Sequence, residues 1–311
     1  MVSLPLGREH RVSRSVCFGC LSGLTLTVFW APLRELLRFS LQREEYSHLV
    51  LVPLASVCLL ILERGRVFSQ IASSKGPGWT LVLIGGAWYT WIQFYGASVS
   101  ENDRLFLSIS PIILVGLGEF LLCYGSQAFR AGLFPLLFLF LMAPIPDALL
   151  EHGIYWLRVG SAEISEMTFQ LLGVPVLRTG FVMALPGMAI EIAQECSGIR
   201  SSLGLMIVSL LAGHLFLRSA WSMTILTLAT IPLLIIKNGM RIVTLSLLSI
   251  YVDPSFLTGS LHRSGGVLFF VVVLVAVFPL LWWLRRYERR AFREDSACEV
   301  SPPRRTIEAN D

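Results

Sequence analysis

The segment Glu195-Cys196-Ser197-Gly198-Ile199-Arg200 sets a thiol, a hydroxyl and a cation just ahead of a strongly apolar run. That run, Leu203 to Leu217, is apolar and long enough to be expected as a membrane helix, with Ser197 or Ser201 capping its first free amides. Cys196 then lies at a helix N-terminus, where the partial positive charge and the nearby Arg200 favour thiolate, the nucleophilic form. The adjacent Glu195 carboxylate works against this. On spacing alone, Cys196 is equally readable as one more buried membrane cysteine.

Two further segments carry groups that could serve the same chemistry. Lys237, Asn238 and Arg241 interrupt an apolar stretch, and ionisable groups inside a span are costly enough to be functional candidates by default. Lys237 and Arg241 share a helix face at i,i+4, so the two cations repel unless an anion sits between them. The alternative is that both side chains snorkel to a nearby membrane interface. His262 follows Asp253-Pro254 and precedes the last apolar run. A loop histidine is usually only solvated, but this one titrates near neutrality and is expected on the same membrane face as Cys196 and Arg241. A nucleophile, a permanent cation and a proton carrier together suffice for acyl transfer. Cys196 would attack a peptide carbonyl, Arg241 would stabilise the oxyanion or hold the thiolate, and His262 would move the proton. Glu191 and Glu195 lack the H-x-x-x-H pairing of a metalloprotease and are expected to partner Arg178 or Arg200. No metal or cofactor is expected.

Positioning these groups falls to membrane helices. Of 311 residues, 54% are hydrophobic and 15% charged, too apolar for a soluble domain of this length and too long for one span. The expected fold is all-α and polytopic. Candidate spans are Cys17–Leu33, His48–Leu62, Trp79–Ala97, Leu105–Tyr124, Gly132–Ala143, Leu203–Leu217, Trp221–Tyr251 and Gly266–Leu284, about eight helices by hydropathy. Arg8, Arg11 and Arg14 precede the first, and Arg285, Arg286, Arg289, Arg290 and Arg293 follow the last. Both termini are therefore expected in the cytoplasm, although Arg34, Arg38 and Arg43 fall outside and oppose the rule. These basic clusters read as topogenic rather than as nucleic-acid sites. The basic N-terminus shows no small-residue cleavage site, so a retained first helix is expected.

Cys17 and Cys20 form a C-x-x-C within that helix, where packing is the favoured role over metal or redox chemistry. Cys58, Cys123 and Cys298 fall in spans or the cytoplasmic tail. Cys196 is then a lone thiol on the extracytoplasmic side. One long segment outside the spans, Pro144 to about Arg200, separates spans five and six. Asp147–Leu172 carries apolar residues at helical spacing (Leu150, Ile154, Leu157, Ile164 and Leu171 among them), which predicts a helix on or dipping into the outer membrane surface. Gly173, Pro175, Gly180, Pro186 and Gly187 then break the chain into short extended pieces leading to Cys196. The expected organisation is one membrane domain over 1–294 and a disordered cytoplasmic tail over 295–311.

At these residues the chain resembles the exosortase/archaeosortase family of membrane cysteine transpeptidases. The likeness rests on Glu195-Cys196-Ser197-Gly198-Ile199-Arg200, on Asn238-Gly239-Met240-Arg241-Ile242 at the N-x-x-R position, and on His262 before the final span. Tyr46-Ser47-His48-Leu49-Val50-Leu51-Val52-Pro53-Leu54 and Phe134-Pro135-Leu136-Leu137 also match, and the resemblance covers roughly Tyr46 to Leu284. It implies a sortase-like activity in the cytoplasmic membrane, with Cys196, Arg241 and His262 catalytic and Ser197, Arg200 and Asn238 supporting. The implied substrates are secreted proteins ending in a short motif, often Pro-Glu-Pro-like, then one transmembrane helix and a basic cluster. A thioester on Cys196 would pass to an acceptor amine, a lipid headgroup in archaeal relatives; lipid or glycan acceptors are both open here. Ser47 and His48 could line a substrate entrance, with interface anchoring the slightly favoured reading. A transporter or a non-catalytic component of a secretion or polysaccharide system is the competing class. A transporter should show repeat symmetry or midplane polar residues in several helices, and neither is present.

Overall fold

The computed structural model describes residues 6–69, 75–95, 99–194, 198–257 and 260–299, with side chains excluded for 6–12, 44–45, 257–267 and 292–299. Helices dominate. In chain order they are α1 (Leu6–Val28), α2 (Trp30–Gln42), α3 (Leu51–Leu62), α4 (Arg64–Val67), α5 (Lys75–Tyr95), α6 (Glu101–Ala131), α7 (Leu133–Phe138), α8 (Asp147–Leu171), α9 (Ile199–Phe216), α10 (Ala220–Tyr251) and α11 (Ser260–Glu299). Among the described residues, the exception to the all-α expectation is a small antiparallel sheet of β1 (Leu177–Thr179), β2 (Val182–Leu185) and β3 (Met188–Glu191), in that spatial order. It occupies the stretch where glycines and prolines predict extended pieces.

The chain divides into two compact units, 1–152 and 153–311. In the first, α6 is the hub. Its residues Leu105, Ile109, Ile113, Leu117 and Phe120 are buried with Phe29, Leu36, Phe39 and Leu49 in one apolar cluster. α5 packs on α6 with small residues at the contact: a Cβ on Gly118 would lie 2.8 Å from the Gly78 carbonyl, and one on Gly85 2.7 Å from that of Pro111. Such close backbone approach is how membrane helices gain packing when lipid removes the hydrophobic incentive. The Glu119 carboxylate, buried on α6, accepts hydrogen bonds from Ser22 and Thr25 of α1, which offset the cost of burying it.

The expected first span, Cys17–Leu33, is broken. The chain turns by 74° between α1 and α2, at Phe29. Pro32 explains the break, because it lacks the N–H that would bond back to Val28 and its ring crowds that carbonyl. Cys17 and Cys20 on α1 and Cys58 on α3 are exposed, and the Cys17 side chain meets that of Cys123 on α6. The fifth expected span, Gly132–Ala143, is only α7 plus a 3-10 stretch, Leu139–Met142, stopped by Pro144 and Pro146. Among the described residues, four helices are long and apolar enough to cross a membrane, or up to six if each bent pair counts as one span, against the eight expected. The chain is a helical membrane protein.

In the second unit, Leu205 of α9, Leu226 and Leu234 of α10, and Val273, Val277 and Leu284 of α11 form one apolar cluster. A second cluster seats the sheet: Met183, Leu185 and Ile192 pack with Ala162 and Phe169 of α8 and Val243 of α10. The apolar windows of α9, α10 and α11 are only 28%, 28% and 22% buried, which leaves broad apolar surfaces facing outward, as lipid contact requires. α11 continues as helix to Glu299, and residues 300–311 of the expected disordered tail lie outside the described residues.

Candidate functional site

α8 and α10 cross closely because small residues meet at the contact. A Cβ on Gly239 would fall 2.6 Å from Ile164 Cγ2, and one on Gly160 2.8 Å from Ile235 Cγ2. Ser165 Oγ donates to the Gly239 carbonyl at 3.2 Å, and Ser161 Oγ donates to the Leu157 carbonyl at 2.6 Å. Ser161 Oγ also accepts from Asn238 Nδ2 at 2.9 Å. Asn238 is thus locked, 1% exposed, on the α8-facing side of α10.

Lys237, the preceding residue, is 5% exposed, so it does not snorkel. Its Nζ donates to Ser201 Oγ at 2.5 Å, and that hydroxyl donates to the Gly198 carbonyl at 2.8 Å. The same carbonyl accepts from the Ser202 hydroxyl and the Ser202 N–H, each at 2.9 Å. Ser201 therefore does not cap α9 by accepting from a free amide, as its position predicts; it donates backwards and relays the pull of a buried ammonium. The N-cap is Gly198 itself, in the left-handed region at φ 75°, with no side-chain cap. A Cβ there would lie 3.2 Å from Asn238 Oδ1 and 3.3 Å from Lys237 Nζ. Gly198→Ala should therefore meet both a left-handed backbone penalty of about 1–2 kcal/mol and crowding against the Lys237 ammonium and the Asn238 side-chain oxygen. The variant is expected to accumulate in membranes with a lower melting temperature, read by thermal shift in detergent.

The upstream end of the same segment is also fixed. Arg158 on α8 donates from Nε to the Ile192 carbonyl at 2.8 Å, and its guanidinium stacks 3.9 Å from the centre of the Phe181 ring. Ile192 N–H bonds the Phe181 carbonyl at 2.9 Å, and Ile192 is 1% exposed. The six residues that begin after Ile192 and end at Gly198 hence start and finish on anchored points. Arg178, expected to pair with Glu191 or Glu195, instead bridges Glu163 (2.7 Å) and Glu166 (3.2 Å) on α8 and donates to the Gly180 carbonyl at 2.9 Å. Burial opposes its charge, but the two carboxylates outweigh that and raise its pKa above the usual arginine value. Its role is to tie the β1–β2 turn to α8.

Of the residues singled out from sequence, Asn238 and Arg241 sit on α10, Arg241 one turn beyond Lys237 and partly buried, and Arg200 is exposed on the first turn of α9. Glu195, Cys196 and Ser197 lie outside the described residues, and His262 lies on the first turn of α11 with its side chain outside them. Ser47, exposed, and His48, half-buried, belong to the first unit, on the 3-10 helix Glu44–Val50 that leads into α3. Among the described residues no cluster of three or more His, Cys, Asp or Glu could hold a metal. Sequence reading missed Arg158, Ser161 and the Lys237–Ser201 link. Only for Lys237 was there a local signal, a charge inside an apolar run.

No curated protein and no solved structure matches the chain. The transmembrane exosortase family model matches residues 40–279, a stretch holding the sheet, the α8–α10 crossing, Cys196, Arg241 and His262. The chain belongs to the transmembrane exosortase family.

Proposed function

We propose that this exosortase is a membrane cysteine transpeptidase that cleaves the C-terminal sorting signal of secreted proteins and passes them to an acceptor through a thioester on Cys196. The observation that carries the reading is the pinning of Gly198 against Lys237 and Asn238. Cys196 is two residues from Gly198, so covalent geometry limits the separation of their Cα atoms to about 7 Å. That tether keeps Cys196 near Gly198, ahead of the N-terminus of α9, and Gly198 lies against Lys237 and Asn238, about one helical turn before Arg241 on α10.

The steps use this chain's own groups. His262 takes the thiol proton, and the Cys196 thiolate, favoured by the α9 dipole and by cations, attacks the scissile carbonyl. Arg241 stabilises the resulting oxyanion. The intermediate collapses as the C–N bond breaks, His262 returns the proton to the leaving amine, and a Cys196 thioester remains. An acceptor amine then attacks, His262 takes its proton, and the thiolate departs as the new amide forms. In this reading the protein lies in the cytoplasmic membrane with both termini inside. The site faces outward, and the shorter α3 and α7 help complete eight spans. Ser197, Arg200 and Asn238 support the nucleophile; Ser47 and His48 are candidates for the substrate path. The substrates are secreted proteins carrying a short motif, a transmembrane helix and a basic cluster; the acceptor is a lipid or glycan amine.

The thioester supplies the test. Hydroxylamine added to membranes containing the enzyme and a sorting-signal reporter should divert the intermediate to a hydroxamate at the reporter's new C-terminus, seen by mass spectrometry. A free carboxylate alone, with or without hydroxylamine, would replace transfer by simple hydrolysis.

A further inference from the structure

The sheet ahead of Cys196 has an edge that the mechanism leaves unused. β2 and β3 are joined by the two-residue turn Pro186-Gly187, with Leu185 opposite Met188, Met183 opposite Ile190 and Val182 opposite Glu191. Bonded and non-bonded pairs alternate along an antiparallel ladder. The bond from Ile192 N–H to the Phe181 carbonyl sets the phase, so Met188 and Ile190 also bond β2. The N–H and C=O of Ala189 and the N–H of Glu191 consequently point away from β2. The Glu191 carbonyl accepts from Ala193 N–H at 3.0 Å. β3 is the last strand, and among the described residues no other strand pairs with its outer side. The side chains of Ala189 and Glu191 are exposed. Within Met188–Glu191 there is no proline or lysine of the kind that protects an exposed edge.

We infer that the outer edge of β3 docks the main chain of the substrate, whose extended stretch beside the scissile bond adds to the sheet as a fourth strand. The inference rests on the reading of Cys196 as the nucleophile. An open strand edge offers alternating main-chain donors and acceptors, which another extended chain satisfies and a lipid or sugar does not. The continuity of the backbone argues for this occupant. β3 runs into Ile192, held by Arg158, and Cys196 follows Glu191 by five residues, within about 18 Å even if fully stretched. A peptide laid along β3 therefore lies within the reach of the segment that carries the thiol. Recognition through main-chain bonds would also let one enzyme accept several secreted proteins whose side chains differ.

The test uses the full-length protein in membranes with a reporter ending in a short motif, one transmembrane helix and a basic cluster. Ala189→Pro deletes the outward N–H at a position that makes no bond to β2, a place where a strand tolerates proline. Its KM for the reporter should rise about tenfold, from the loss of one or two main-chain hydrogen bonds, with little change in kcat. A photo-crosslinking residue at 189 in the Cys196→Ala background should capture the reporter's extended segment, and this arm decides if Ala189→Pro does not accumulate. A wild-type KM in well-folded Ala189→Pro, or adducts only to lipid or to a second copy of the enzyme, would overturn the docking site. Continued reporter cleavage by Cys196→Ala would instead overturn the transpeptidase reading, whatever the crosslink shows.

Discussion

Cys196→Ala should leave the protein inserted at normal abundance and abolish processing of a sorting-signal reporter. The substitution removes one sulfur and neither anchor of the segment: Arg158 still holds Ile192, and Lys237 still reaches Gly198 through Ser201. Cys17, Cys20, Cys58 and Cys123 all belong to the first unit, and Cys123 is buried within α6. Losing the nucleophile of a catalytic constellation removes on the order of 10⁶ in turnover, because the remaining groups act through it. Pulse-chase labelling that separates intact from cleaved reporter would read this as no cleaved product over hours. Undiminished cleavage by a well-accumulated Ala variant would move the chemistry elsewhere.

Arg241→Lys should be the next most damaging change. Arginine offers a planar fork of donors that can hold an oxyanion from two directions, whereas lysine offers a point charge on a flexible stem. Lys237 cannot substitute for it, since its ammonium is already committed to Ser201 one turn earlier. Removing a preorganised oxyanion donor lowers kcat by roughly 10²–10³. The loss should appear in kcat, with KM nearly unchanged, and in slower build-up of the hydroxylamine-trapped product. A rate close to wild type would reduce Arg241 to a partly buried interface residue.

The third group in the proposed mechanism, His262, was legible only as a residue type ahead of the last apolar run. The helical character of most of the chain was easier to read, since apolar runs and helical periodicity are local properties. The α8 helix was expected over Asp147–Leu172 and is found over Asp147–Leu171. The glycines and prolines between 173 and 187 announced extended pieces, and three short strands are found there. Hydropathy was less able to see where spans break. Phe29 lies inside an unbroken apolar pattern, and the turn there follows from Pro32 acting on a carbonyl four residues back. Arg178 shows the same limit at the surface. Proximity in sequence pointed to Glu191 or Glu195, while the fold brings Glu163 and Glu166 to it instead.

A helical membrane protein is legible from the amino acids alone, as is the oddity of Lys237, Asn238 and Arg241, because the cost of a polar group in an apolar run can be judged without knowing its partners. Tertiary structure alone decided what two of those groups do. Lys237 meets Ser201 across 36 residues, Asn238 meets Ser161 across 77, and Arg158 meets Ile192 across 34. Each contact joins different elements whose approach depends on packing. Gly160 and Gly239 bring α8 and α10 close enough for Asn238 to reach Ser161, and the left-handed Gly198 turns its carbonyl to Ser201 and Ser202. Glycine, which carries no side chain, gives no hint in a sequence of which backbone it will let approach.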